Sequence, residues 1–124
     1  MPKRIFTSFA IEDINLRTML IGQARNERSS FEFVDMSVKE PWDEKWKTNC
    51  RIRIKGCDGV IGIITSNTPK ADGQLWELKC AYEENIPVLL IYGNDSRPSL
   101  PAPISGKRVN IWTWDNIKDF LDRL

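Results

Sequence analysis

The stretch from Gly59 to Thr65, Gly-Val-Ile-Gly-Ile-Ile-Thr, contains no polar side chain before its last position. A strand with one wet face alternates apolar and polar residues, so an unbroken apolar run predicts a strand buried on both faces. Such strands lie in the middle of parallel sheets covered by helices, and the run therefore points to an α/β architecture. Ser66 to Gly73 is loop by composition, and Gln74 to Asn85 has the pattern of a helix. Glu77 thereby falls in the first turn of a helix at the mouth of the sheet, where open α/β folds bind ligands. The same position suits an acid for a plainer reason, the positive end of the helix macrodipole.

The rest of the chain alternates strand and helix signals. Arg4 to Phe9 reads as a first strand, and Ile14, Leu16, Met19, Leu20 and Ala24 give the following helix a broad apolar face behind Glu12 and Asp13. Phe31 to Met36 is the second strand, followed by a loop from Ser37 to Trp42. Trp46, Cys50, Ile54 and Cys57 recur at helical spacing between Asp43 and Gly56. Val88 to Tyr92 is the fourth strand, Gly93 to Lys107 a long polar segment with the composition of a flap, Val109 to Trp114 the fifth strand, and Asp115 to Leu124 a closing helix with Asp115 as its N-cap. With no repeat and no linker, the expectation is one domain over residues 1–124: a flavodoxin-like three-layer fold with a five-stranded parallel sheet in the order 2-1-3-4-5 and helices on both faces.

Composition narrows the chemistry. Eighteen Lys and Arg against seventeen Asp and Glu leave a net charge of +1, which gives no global electrostatic argument for nucleic acid or an anionic membrane. The amino terminus lacks an apolar leader core and no run is long enough to span a bilayer, so a cytoplasmic protein is expected. Cys50, Cys57 and Cys80 have neither disulfide nor zinc-site spacing, and free buried thiols without a metal are expected. The absence of histidine excludes Ser-His-Asp and Cys-His mechanisms and leaves acid and base work to carboxylates, Lys, Tyr or Cys. Neither a Gly-x-x-x-x-Gly-Lys-Ser/Thr loop nor a Gly-x-Gly-x-x-Gly turn is present, and Thr65-Ser66-Asn67 offers no phosphoacceptor Asp at the end of the third strand.

What remains is a crevice with one carboxylate, Glu77, the small polar residues Ser8, Ser66 and Asn67, and the aromatic residues Phe9, Trp42 and Trp76. Aromatic faces stack on a base, while a carboxylate accepts ribose hydroxyls and stabilises positive charge at an anomeric carbon. Cleavage of a nicotinamide glycosidic bond suits a site without histidine, because the leaving group departs neutral from a cationic ring. Plain readings stand beside these: Trp42 and Trp46 as packing residues, Ser8 as a strand-end hydrogen bonder, Asp35 as a turn former.

Phe6-Thr-Ser-Phe9, Asp35-Met-Ser-Val-Lys-Glu-Pro-Trp42, Cys57-Asp-Gly-Val-Ile-Gly-Ile-Ile-Thr65 and Gly73-Gln-Leu-Trp-Glu77 together resemble the TIR-like family that includes the Thoeris anti-phage sensors. The resemblance implies an enzyme that consumes NAD as substrate, with no further cofactor, and converts it to a cyclic ADP-ribose isomer that signals to a separate effector. It implies Glu77 as the catalytic glutamate on the nicotinamide ribose. Ser8, Phe9, Asp35, Ser37, Ser66, Asn67 and Trp76 are the candidate substrate-binding residues. A homo-oligomer is compatible with it; nucleic acid and membrane partners are not expected. The chain departs from the family in having Gly73 where many members place a tryptophan, with Trp76 as the aromatic nearest in sequence to fill that space. The alternative within the same resemblance is a non-catalytic interaction module.

Overall fold

The apolar run forms β3 (Gly59–Ile64), and all of its residues are buried. In the computed structural model, which describes residues 3–124, β3 lies at the centre of a five-stranded sheet. The other strands are β1 (Arg4–Ser8), β2 (Glu32–Val34), β4 (Val88–Tyr92) and β5 (Asn110–Ile111). Every pairing is parallel and the order is β2-β1-β3-β4-β5, a flavodoxin-like arrangement. The chain builds outward from β1 to β2 and then crosses to β3 on the other side, so the switch point lies between the ends of β1 and β3, where Ser8 pairs with Gly62. Met1 and Pro2, the head of the segment read as lacking a leader core, lie outside the described residues.

Among the described residues four α-helices cover the sheet: α1 (Ile14–Asn26), α2 (Glu44–Lys55), α3 (Asp72–Glu83) and α4 (Trp114–Asp122). Trp46, Cys50 and Ile54 of α2 and Leu78 and Ala81 of α3 pack with Phe6, Val60, Ile64 and Leu90 on one face. Leu20 of α1 and Ile117, Phe120 and Leu121 of α4 pack with Ile5, Ile61, Ile63 and Ile91 on the other. Alternate residues of a strand point to opposite faces, which is why β3 feeds both cores and must be apolar throughout. At Gly62 a Cβ would stand 2.8 Å from Leu90 and 3.0 Å from Leu78, so the missing side chain lets α3 approach the sheet. No helix among the described residues is long and apolar enough to cross a membrane.

Several boundaries differ from the sequence reading. The helix expected from Gln74 starts at Asp72, which puts Asp72 in the first turn and Glu77 a turn further in. The fourth helix is capped by Thr113, whose hydroxyl accepts from the Asn116 amide, and Asp115 lies inside the helix instead of capping it. The second and fifth strands are shorter than their β-forming residues suggested. Both are edge strands, paired on one side only: β2 stops at Val34 opposite Phe6 although β1 runs on to Ser8, and β5 ends at Ile111 opposite Tyr92. The long segment after β4 is anchored mid-way by Ile104, which is fully buried in the α2/α3 core.

Candidate active site

Glu77 has no solvent exposure, and both of its carboxylate oxygens are engaged. Oε1 accepts from the Ser8 hydroxyl at 2.8 Å and Oε2 from the Lys39 ammonium at 2.7 Å. Ser8 reaches it from the carboxyl end of β1, α3 carries it above the switch point, and Lys39 comes from the irregular segment between β2 and α2. Burial pushes the Glu77 carboxyl up to about 7, with Asp35 adding like-charge repulsion, while Lys39 and Ser8 hold it down. A carboxylate poised near neutrality by burial and a single cation is the arrangement expected of a reacting group more than of a helix-dipole residue.

Lys39 is fixed by three contacts. Its ammonium lies on Glu77 and 4.2 Å from the centroid of the Phe9 ring, and its stem lies over Gly73, where a Cβ would come within 3.0 Å of the Lys39 Cβ and Cδ. Only 5% of the Lys39 side chain is exposed. Gly73 is the seat of a lysine stem, and Trp76 does not fill the space beside it. Its ring is turned toward α2, with Lys47, Arg51 and Lys79 within 5.1 to 5.4 Å of its centroid and its indole nitrogen donating to the Lys47 carbonyl. Neighbouring positions on a helix diverge by about 100°, so Trp76 cannot share the crevice with Glu77.

A cleft of about 270 Å³ opens beside this cluster, lined among others by Ile11, Lys39, Trp42, Asp72, Gly73 and Gln74. Lys39 lines the cleft and holds the Glu77 carboxylate, which does not itself line it. Gln74 ties the two strand ends: its Nε2 donates to the Ser8 carbonyl at 3.2 Å and to the Ile63 carbonyl at 2.7 Å.

Of the residues expected at the site, the structure therefore gathers Ser8, Phe9 and Glu77. Asn67 belongs to a separate cluster, donating to Asp13 at 2.9 Å while Thr65 donates to the other Asp13 oxygen. Asp35 is paired with Arg17 at 3.2 Å and reaches Glu77 only through its field. Ser37 and Ser66 are exposed. Lys39 and Gln74 carried no role in the sequence reading. A buried acid in a chain without histidine can be balanced by Lys or Arg or by neutral donors, and the sequence did not say which would meet Glu77. Among the described residues no group of three or more ligand side chains is placed to hold a metal ion. No family model and no curated protein sequence matches this chain.

Proposed function

We propose that the chain is a TIR-like enzyme that cleaves the nicotinamide–ribose bond of NAD and closes the product to a cyclic ADP-ribose isomer, a bacterial anti-phage signal read by a separate effector. One observation carries the reading: the fully buried Glu77 carboxylate, positioned by Ser8 at the switch point and balanced by one cation on a flexible stem. Glu77 accepts the ribose hydroxyls and stabilises the positive charge that develops at the anomeric carbon as the bond electrons pass to the nicotinamide nitrogen. Ser8 fixes the direction of Oε1. In cyclisation a hydroxyl of the substrate itself attacks the anomeric carbon and releases its proton, and the protein contributes folding of the substrate and exclusion of water.

Lys39 must leave for the ribose to reach Glu77. The substrate compensates for that loss, because its pyridinium ring brings a positive charge of its own to the carboxylate. Only the ionised carboxylate stabilises the cationic transition state, so kcat/KM, which reports the free enzyme with Lys39 in place, rises with pH through about 7 and levels off above it. Nicotinamide release from NAD by the purified protein, followed across pH 5 to 9, tests this; a flat profile refutes the role given to Glu77.

A second reading, a non-catalytic TIR-like interaction module, draws on the same closed geometry. Glu77 is sealed and its two oxygens are satisfied within the fold, while Trp42 is 77% exposed on the rim. Concentration-dependent assembly with no NAD turnover in the assembled state selects this reading.

A further inference from the structure

Gln74 is completely buried, yet its side-chain carbonyl Oε1 has no hydrogen-bond partner. Its orientation is not arbitrary. Nε2 faces the carbonyl oxygens of Ser8 and Ile63, which only accept, so a flipped amide would set oxygen against two oxygens. The orientation of the amide is therefore fixed, and no protein group donates to Oε1. A buried acceptor without a donor is destabilising, and a fold that keeps one at its ligand crevice has a use for it. Gln74 lines the same cleft as Lys39 and Gly73, and it stands three residues before Glu77 on one face of α3. Side chains at that spacing are neighbours.

We propose that Gln74 Oε1 is a donor-reading subsite that accepts an N–H of the substrate's carboxamide. The inference rests on the NAD-cleaving reading and extends it to specificity. With the ribose hydroxyls on Glu77, the base attached to the next ring carbon lies toward the neighbouring residue of the same helix face. A carboxamide there presents N–H groups to Oε1. A carboxylate in its place presents only acceptors and leaves the Gln74 carbonyl unpaired against a negative charge. The cleft is lined by Lys39 and Lys70 and equally by Glu12 and Asp72, so its charge does not set the preference by itself, and the Gln74→Met variant isolates the part played by the acceptor.

The test compares kcat/KM for NAD and for its nicotinic acid analogue, which differ only in that group. The subsite predicts a preference for NAD of about tenfold to a hundredfold, the range set by leaving one buried polar group unpaired. Gln74→Met, checked for folding by its thermal transition, is expected to remove the preference by slowing NAD cleavage. Equal cleavage of both dinucleotides overturns the subsite and leaves the NAD-cleaving reading standing. If neither dinucleotide is cleaved, that reading fails, and the subsite is judged by binding of free nicotinamide and nicotinate measured by ligand-observed NMR. Tighter nicotinamide binding, lost in Gln74→Met, supports the subsite; equal binding, or none, overturns it and assigns Oε1 to a structural water.

Discussion

Two carboxylates stand at the carboxyl ends of β1 and β3, and they are held in opposite ways. Asp13, which is 8% exposed, accepts from Thr65 and Asn67, short neutral donors on the loop that leaves β3. Thr65 and Thr68 close the same loop on itself. Glu77 accepts from Ser8 on one side but from Lys39 on the other, a charged donor at the end of a long stem that crosses from a different segment. Asp13 joins the turn before α1 to the loop before α3 and has nothing to release. Glu77 depends on a partner from a separate segment, and the proposed function requires that partner to give way to the cation of the substrate. The contrast separates a clamp between two loops from a buried acid held by one long-stemmed cation, the acid to which the proposed chemistry is given.

Breaking the Glu77 pair is expected to have the largest effect on stability. Lys39→Met leaves a buried carboxylate without its cation and is predicted to destabilise the fold by about 3 kcal/mol at pH 8 in urea titrations. The loss shrinks toward pH 6, because the carboxyl protonates instead of remaining charged.

The titration of Glu77 in the intact protein gives an effect of similar size. Its folded pKa, about 7, lies above the ordinary 4.5, so folding favours the protonated form. Its contribution is fully present below pH 4.5, falls as pH rises toward 7 and is gone above, a change on the order of 3 kcal/mol. The difference in unfolding free energy between wild type and Glu77→Gln should follow that slope; a difference independent of pH contradicts it.

Asp13→Ala is expected to remove about 2 kcal/mol, through two lost charge-assisted hydrogen bonds and the buried donors left behind. Thermal denaturation of the variant against wild type at one pH checks this. Gly73→Ala is predicted to have the smallest effect, within about 1 kcal/mol. The gain in helix propensity offsets the displacement of the Lys39 stem, which is flexible and can give way. A loss well above that range would mean that the seat on Gly73 holds Lys39 more rigidly than its contacts imply.

The fold was legible because its strongest signal was redundant. An all-apolar β3 can only be a central strand, and alternating helices and strands with right-handed crossovers leave few orders for the others. Glu77 and Ser8 were legible for the same reason, since the ends of β1 and β3 must meet in a parallel sheet. Edge strands and caps were not, because an edge strand is held on one side only and a cap depends on which hydroxyl lies nearest: Thr113 caps α4 although Asp115 has the more familiar cap chemistry. Trp76 was misplaced by proximity in sequence, although its position beside Glu77 on a helix already turned it toward α2. Lys39 could not be found from its own segment. Its role arises only when the segment between β2 and α2 is folded over Gly73, and the glycine that made room for it registered in the sequence only as a missing tryptophan.

The central claim is that Glu77 performs chemistry on a ribose. It is tested most directly by nicotinamide release from NAD, with wild type and Glu77→Gln compared at pH 8 across protein concentrations that include the assembled state. Release by the wild type that falls by about a hundredfold to a thousandfold in Glu77→Gln is the predicted result. Equal release from the two proteins, or none from the wild type in any state of assembly, contradicts the account.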